Sequence, residues 1–107
     1  MYTNTALLEK PTRVPEPLLR EALGAALRSF RTEKGITLRE LAEASSVSPG
    51  YLSELERGRK EVSSELLASV CCALGTGVAD VLIEAAGTMA VQASLQWDRV
   101  DASTLTN

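Results

Sequence analysis

The side chains best suited to bind another molecule are concentrated between Ser48 and Lys60. Small residues open this stretch in the order Ser48, Pro49, Gly50, and Arg57, Arg59 and Lys60 close it. Small residues at a helix start let the backbone N–H groups approach a surface closely, and that end of a helix attracts anions. Cations just beyond the helix can pair with phosphates. The combination predicts a short helix that enters a DNA major groove.

Two short helices with a tight break between them must position these side chains. Thr37 and Glu40 form a T-x-x-E capping box, which predicts a helix that starts directly after Thr37. Ser48 is a good N-cap, and Pro49 suits the first helical position. Gly58 stands where a helix ends in left-handed geometry. A helix-turn-helix is therefore predicted, with a generic helical hairpin as the plainer alternative.

The rest of the chain predicts an all-α domain of five helices, with no segment that favours a sheet. Apolar residues recur at helical spacing from about Pro17 to Lys34, which predicts the first helix. Ser63 and Gly75 mark the ends of a fourth helix, and a fifth is predicted over 78–86. The predicted divisions are a flexible N-terminal arm (1–15), the DNA-binding domain (16–86) and a C-terminal extension (87–107).

The stretch from Leu27 to Leu82 resembles the helix-turn-helix of the Cro/C1-type (XRE) repressor family. The resemblance covers the capping box, the apolar positions, the E-R-G end of the second motif helix and the later segment L-L-x-x-V-C-C-A-L-G. Leu38 stands where the family often has a Gln that touches a phosphate. Ser46 stands where the family often has Gly, which predicts a strained turn costing about 1 kcal/mol.

The run SPGYLSELERGRKEVSSELLASVCCALGT is similar to short actinobacterial regulators of Clp protease genes. The small size of the chain and the lack of a ligand domain agree with this narrower resemblance. It implies an activator of proteolysis genes that binds palindromic DNA as a homodimer, with RNA polymerase as a further partner. The alternative is a protein-binding module on the same fold, such as an antitoxin or a coactivator.

Position along the second motif helix, the recognition helix, assigns roles on DNA. Ser53 is predicted to hydrogen-bond a base, and Glu54 can accept from a cytosine amino group. Tyr51 either stacks on the sugar–phosphate wall or forms a partly buried contact between helices. The predicted base-facing residues are Ser48, Pro49, Gly50, Tyr51, Ser53 and Glu54. The predicted phosphate contacts are Thr37, Arg39, Arg57, Arg59 and Lys60. The resemblance also implies a scaffold ion pair between Arg31 and Glu56.

The net charge of −3 is distributed unevenly along the chain. Residues 28–60 carry seven Lys/Arg and five Glu, whereas residues 61–107 carry one Arg and six acids. A local cationic face on an acidic body can still follow phosphates. Charge alone would favour ordinary solvated helix faces, and it is the motif that favours DNA.

Side chains for catalysis or metal binding are scarce. The chain has no His, which is the commonest general base and metal ligand. Cys71 and Cys72 are adjacent and lack the C-x-x-C spacing of zinc sites. Cys71 fits the core, and Cys72 is expected nearer the surface, where a redox role is the alternative to packing. We therefore expect no enzyme, no metal and no cofactor.

The segment after residue 78 predicts a helical extension, because apolar residues recur every three or four positions. Gly87 is expected to kink or break it, and the alternation from Met89 to Trp97 fits a short strand as the alternative. A small domain cannot easily cover this stripe, so we expect it to pair two chains. The alternative is that Trp97 folds back onto its own domain. The predicted dimer contacts are Leu82, Ala86, Ala90, Ala93 and Trp97.

The ends of the chain carry two further expectations. Residues 98–107 are expected to be disordered. No apolar run of about 18 residues and no secretory segment stands out, so a cytoplasmic protein without membrane contact is predicted.

Overall fold

Five α-helices and no strand make up the part of the chain that the structure, a computed structural model, describes. That part is residues 18–105, with side chains through residue 95. The helices are α1 Leu19–Glu33, α2 Leu38–Ser45, α3 Pro49–Glu56, α4 Ser64–Leu74 and α5 Val78–Leu105. The predicted all-α fold is confirmed. The arm predicted over residues 1–15 lies outside the described residues.

The predicted start and stop signals of α2 and α3 are all present. The Thr37 hydroxyl oxygen accepts from the Glu40 backbone N–H at 3.0 Å, and the Glu40 carboxylate accepts from the Thr37 N–H at 2.9 Å. The Ser48 hydroxyl oxygen accepts from the Tyr51 N–H at 3.1 Å. Gly58 follows α3 with φ 75°. Because these bonds satisfy backbone groups that helix ends leave free, both helices begin where the sequence predicts.

Aliphatic side chains from all five helices form the core. Leu27, Leu52 and Val81 are fully buried. The helix α1 packs against α3, α4 and α5, while α2 packs against α3 and α4. The apolar spacing of α1 would place Leu19 on the core side, but Leu19 is 53% exposed, whereas Ala22 is buried. The core-facing row therefore begins one turn later than the apolar spacing suggested.

The helix α5 departs most from prediction. It is continuous from Val78 to Leu105, so it does not break at Gly87 or end at residue 86. A Cβ placed on Gly87 would meet nothing within 4 Å, and this exposed position costs the helix only the entropy of glycine. The strand alternative over 89–97 was wrong. The disorder expected over 98–107 was wrong as far as residue 105, and the last two residues lie outside the described part.

The first part of α5 is unusually apolar for an exposed helix. Val78–Leu95 is long and apolar enough to cross a membrane by length and composition, contrary to the sequence expectation. One side of it belongs to the domain core, where Val81 and Ala85 are fully buried. Little of the rest is covered within the described residues, so the high hydropathy comes largely from apolar side chains on the outer side.

The helix α1 lies directly against the end of α3. A Cβ on Gly24 would overlap the carbonyl oxygen of Leu55 and lie 2.7 Å from that of Glu56. This close approach sets the Arg31 guanidinium on the Glu56 carboxylate, with Nε–Oε2 at 2.7 Å and Nη2–Oε1 at 3.0 Å. Arg31 Nη1 also donates to the Ile36 carbonyl oxygen at 2.9 Å. It is the pair that the family resemblance implied.

The environment of Arg31 keeps it charged. Its hydrogen bonds to Glu56 raise the pKa of the guanidinium, and the attraction of the carboxylate adds to this against the opposing effect of burial. A bidentate pair of this kind also has a defined geometry. The pair therefore sets the angle at which α1 holds the end of α3.

The turn between α2 and α3 contains strain. Ser46 ends α2 at φ 61°, ψ 38°, and it is the only non-glycine residue with positive φ within residues 18–105. Its Cβ makes this left-handed geometry costly. The strained turn implied by the departure from the family pattern is present.

Replacing Ser46→Gly should raise the free energy of unfolding by about 1 kcal/mol, because glycine adopts left-handed geometry without a steric penalty. Urea denaturation followed by circular dichroism measures the change. Ser46→Ala keeps a Cβ and should gain nothing. Equal stabilisation by Gly and Ala would show that the turn is not strained at Ser46.

Replacing Arg31→Met should lower the free energy of unfolding by about 3 kcal/mol. The Glu56 side chain is only 5% exposed and would lose its charge partner. Arg31→Met combined with Glu56→Met should recover most of the loss, since no charge then stays buried alone. Denaturant unfolding of both variants measures this. A double variant no more stable than the single one would contradict the explanation.

Candidate nucleic-acid interface

The recognition helix α3 has a buried side and an outward side. Leu52 and Leu55 are buried in the core. Gly50, Ser53 and Glu54 lie on the opposite side by the helical period. A Cβ on Gly50 would meet nothing within 4 Å, and the other two side chains are half-buried. The outward side therefore presents two small residues, which allow close contact with a groove, and one carboxylate.

The predicted DNA contacts in the first turn of α3 differ in how exposed they are. Ser48 and Pro49 are exposed at the helix start. Tyr51 is half-buried, and its hydroxyl donates to the Glu61 carbonyl oxygen at 3.3 Å. This bond ties the ring to the loop after α3. It favours the alternative in which Tyr51 is a contact within the domain.

The cations after α3 are gathered around one carboxylate. Glu54 Oε2 lies 3.7 Å from Arg57 Nη1 and 3.5 Å from Arg59 Nη1. The two arginine side chains are 61% and 63% exposed. Lys60 follows Arg59 in the chain and is also exposed. All three cations thus face solvent just after the recognition helix.

The start of α2 contributes the other predicted phosphate contacts. Thr37 and Arg39 are both exposed there. The Thr37 hydroxyl oxygen serves as the helix cap, which leaves the hydroxyl hydrogen free to donate. The positive end of the α2 dipole adds to the attraction for an anion at this point.

A cleft of about 200 Å³ joins α1, α2 and α3, and it contains a residue that sequence reasoning missed. From the sequence, Arg28 contributed only to the net charge of residues 28–60 and was given no role on DNA. It is exposed and stands three residues before Arg31, so the two cations share a side of α1. That three-residue spacing was the sequence signal that could have identified Arg28 as part of the cationic surface. The cleft is lined by Arg28, Arg31, Leu38, Ser53, Glu56 and Arg57.

The described residues show the cysteines as expected. Cys71 is buried and Cys72 is exposed. Burial raises the pKa of the Cys71 thiol, which keeps it protonated as a small apolar side chain. Within residues 18–95 no group of three or more potential metal ligands comes together.

The predicted dimer contacts lie on α5 away from the motif. Leu82, Ala86 and Ala90 are exposed, and Ala93 is half-buried. Trp97 lies in the helix, and its side chain is outside the described part. A neighbouring row that the sequence reasoning missed is also exposed and apolar, with Ile83 at 69% exposure. That row is Ile83, Gly87, Val91 and Leu95.

Known proteins share both sequence and fold with this chain. A helix-turn-helix domain family model matches residues 22–85. The transcriptional regulator ClgR of Mycobacterium tuberculosis is 53% identical over 78 residues, which cover 73% of this chain and 70% of that protein.

Solved structures agree with this family. A crystal structure of the clp gene regulator ClgR from Corynebacterium glutamicum aligns with a TM-score of 0.77 and 77% identity, covering 87% of this chain and 98% of that chain. The biofilm master regulator SinR in complex with DNA aligns with a TM-score of 0.54 and 36% identity, covering 56% of this chain and 97% of that chain.

The family match spans the whole helix-turn-helix, including the exposed side of α3 and the cations that follow it. The relatives are transcription regulators, not enzymes. The chain belongs to the helix-turn-helix family of Cro/C1 (XRE) type and is a DNA-binding transcription regulator.

Proposed function

We propose that this protein activates Clp protease genes in the cytoplasm by binding palindromic operators as a homodimer. The observation that carries the proposal is the similarity to ClgR regulators over most of their length, at 53% identity in one case and 77% in another. One of those relatives is described as a clp gene regulator. RNA polymerase is proposed as a further partner of such an activator.

Base recognition is assigned to the outward side of α3. Ser48, Pro49 and Gly50 let the helix start approach the groove floor, because they are small and exposed. Ser53 lies one turn further on the same side and offers a hydroxyl to a base edge. Glu54 offers an acceptor to a base amino group.

Phosphate binding is assigned to two groups of cations and donors. One group follows α3, and the other lies on α1 and at the start of α2. Contacts of this kind fix the register of the protein on DNA without reading sequence. The assigned residues are Thr37, Arg39, Arg57, Arg59 and Lys60, together with Arg28.

Pairing of two chains is assigned to the outer side of α5. The row of predicted contacts that begins at Leu82 and the row that begins at Ile83 are neighbours around the helix. By the helical period, Ile83 and Ala90 lie at the boundary between the two rows. A shallow groove of about 440 Å³ runs along the same side, and its lining joins Ile83, Gly87 and Val91 to the polar Glu84, Thr88 and Gln92. The two exposed apolar rows on a small domain favour a two-fold contact with its copy. A dimer would also fix the distance between the two recognition helices.

Purified protein should select palindromic duplexes from a random pool, with half-sites about 10 bp or a multiple apart. Arg57→Ala with Arg59→Ala should weaken binding to every sequence and reduce the salt slope by about one unit per lost phosphate contact. Fluorescence anisotropy at several salt concentrations measures both quantities.

Ser53→Ala is the contrasting variant in that experiment. It should cost the selected duplex about 1 kcal/mol and leave a random duplex almost unaffected, because it removes a base contact only. Binding that ignores salt would contradict the phosphate assignment. Equal losses on both duplexes would contradict base readout by Ser53.

Ile83→Glu should convert the dimer to a monomer, because it places a charge at the centre of the apolar face of α5. Analytical ultracentrifugation measures the mass, and the variant should bind operator DNA much more weakly than the parent. Ala68→Glu adds the same charge at an exposed position of α4 and should leave the dimer intact. If the Ile83→Glu variant is still a dimer, the interface does not lie on this face. If the parent protein binds phosphatidylcholine vesicles, the face is a membrane-binding surface instead.

A further inference from the structure

Glu54 occupies an unusual place for a carboxylate on a DNA-reading surface. It projects from the outward side of α3, where every DNA sequence presents a negative potential. It also lies between the two arginines assigned to phosphates, within 3.7 Å of one and 3.5 Å of the other. Its carboxylate therefore holds the position that a phosphate oxygen would take.

The backbone keeps this arrangement in place. The Arg59 N–H donates to the Glu54 carbonyl oxygen at 2.9 Å, and the Arg57 N–H donates to that of Ser53 at 3.1 Å. The loop after α3 is thus folded back onto the helix. Both arginines stay within reach of the carboxylate without any rearrangement of the main chain.

The two ion pairs are weak enough to exchange. They are long for ion pairs, and both arginine side chains are mostly exposed. Exposed pairs of this kind contribute little, so a phosphate can displace the carboxylate if the carboxylate gains another partner. A base amino group in the groove is such a partner, and cytosine N4–H₂ offers one to a Glu.

We propose that Glu54 is a specificity-determining residue that competes with DNA phosphate for Arg57 and Arg59 and releases them where a cytosine amino group binds its carboxylate. The inference rests on the proposed binding of α3 in the major groove. On a mismatched site the carboxylate stays on the arginines and phosphate binding is weakened. Glu54 thus adds discrimination by penalising wrong sites, rather than by strengthening the right one alone.

The test compares wild-type protein with Glu54→Gln, on the duplex that wild type selects from a random pool and on a random 20-bp duplex of about the usual operator length. Glu54→Gln should bind the random duplex about two- to fivefold more tightly, the factor that an exposed ion pair corresponds to. It should also lose the preference for cytosine at one position when it selects sequences itself. Glu43→Gln, an exposed position on α2 with the same change of charge, should do neither.

A second background separates competition from simple repulsion. In protein already carrying Arg57→Ala and Arg59→Ala, Glu54→Gln should no longer tighten binding to the random duplex, because the groups competed for are absent. The proposal would be overturned if Glu54→Gln still raised the affinity for the random duplex by the same factor in that background. It would also be overturned if Glu54→Gln kept the base preference of the wild-type protein. Failure of wild-type protein to bind any duplex would instead overturn the proposed function.

Discussion

The contact between α1 and the end of the recognition helix is the interaction on which the DNA-binding surface depends. The helix α3 has only eight residues, too few to be stable alone, so its position is imposed by its neighbours. Gly24 lets the α1 backbone reach the last carbonyls of α3, and the Arg31–Glu56 pair fixes the angle. Arg20 adds a further bond from α1, donating to the Gly58 carbonyl oxygen at 3.0 Å.

The same contact explains how an acidic chain can present a cationic surface. By closing α1 against α3, it brings Arg28 beside Arg57 in one cleft, although these residues are far apart in sequence. Phosphate binding depends on such local potential and not on net charge. Glu54 lowers that potential locally, because its carboxylate lies beside Arg57 and Arg59.

The helix α5 has an inner side that is buried in the core and an outer side that is exposed and apolar. Val81 and Ala85 on its inner side complete the core, so the start of this helix cannot be removed without loss of the fold. The outer side presents apolar residues that the described part of the chain leaves uncovered, with Ile83 the most exposed. Under the proposed dimerisation, a helix anchored in the core would hold two recognition helices at a set distance, as a palindromic operator requires.

The sequence by itself determined the features that depend on a few neighbouring residues. The caps at Thr37 and Ser48 and the stop at Gly58 were all predictable, because backbone preferences and capping bonds act over one turn, whereas the strain at Ser46 was implied by comparison with the family pattern. The helical class and most core positions followed from spacing. The family resemblance added the Arg31–Glu56 pair.

Only the tertiary structure decided the rest. The cleft at Arg28 and the tie between Tyr51 and Glu61 depend on how helices pack, which no local pattern encodes. The continuity of α5 through Gly87 was equally out of reach, since a glycine weakens a helix and its surroundings decide whether the helix ends. Local rules thus located the recognition helix, and the packing of α1 against it decided which charges stand beside it.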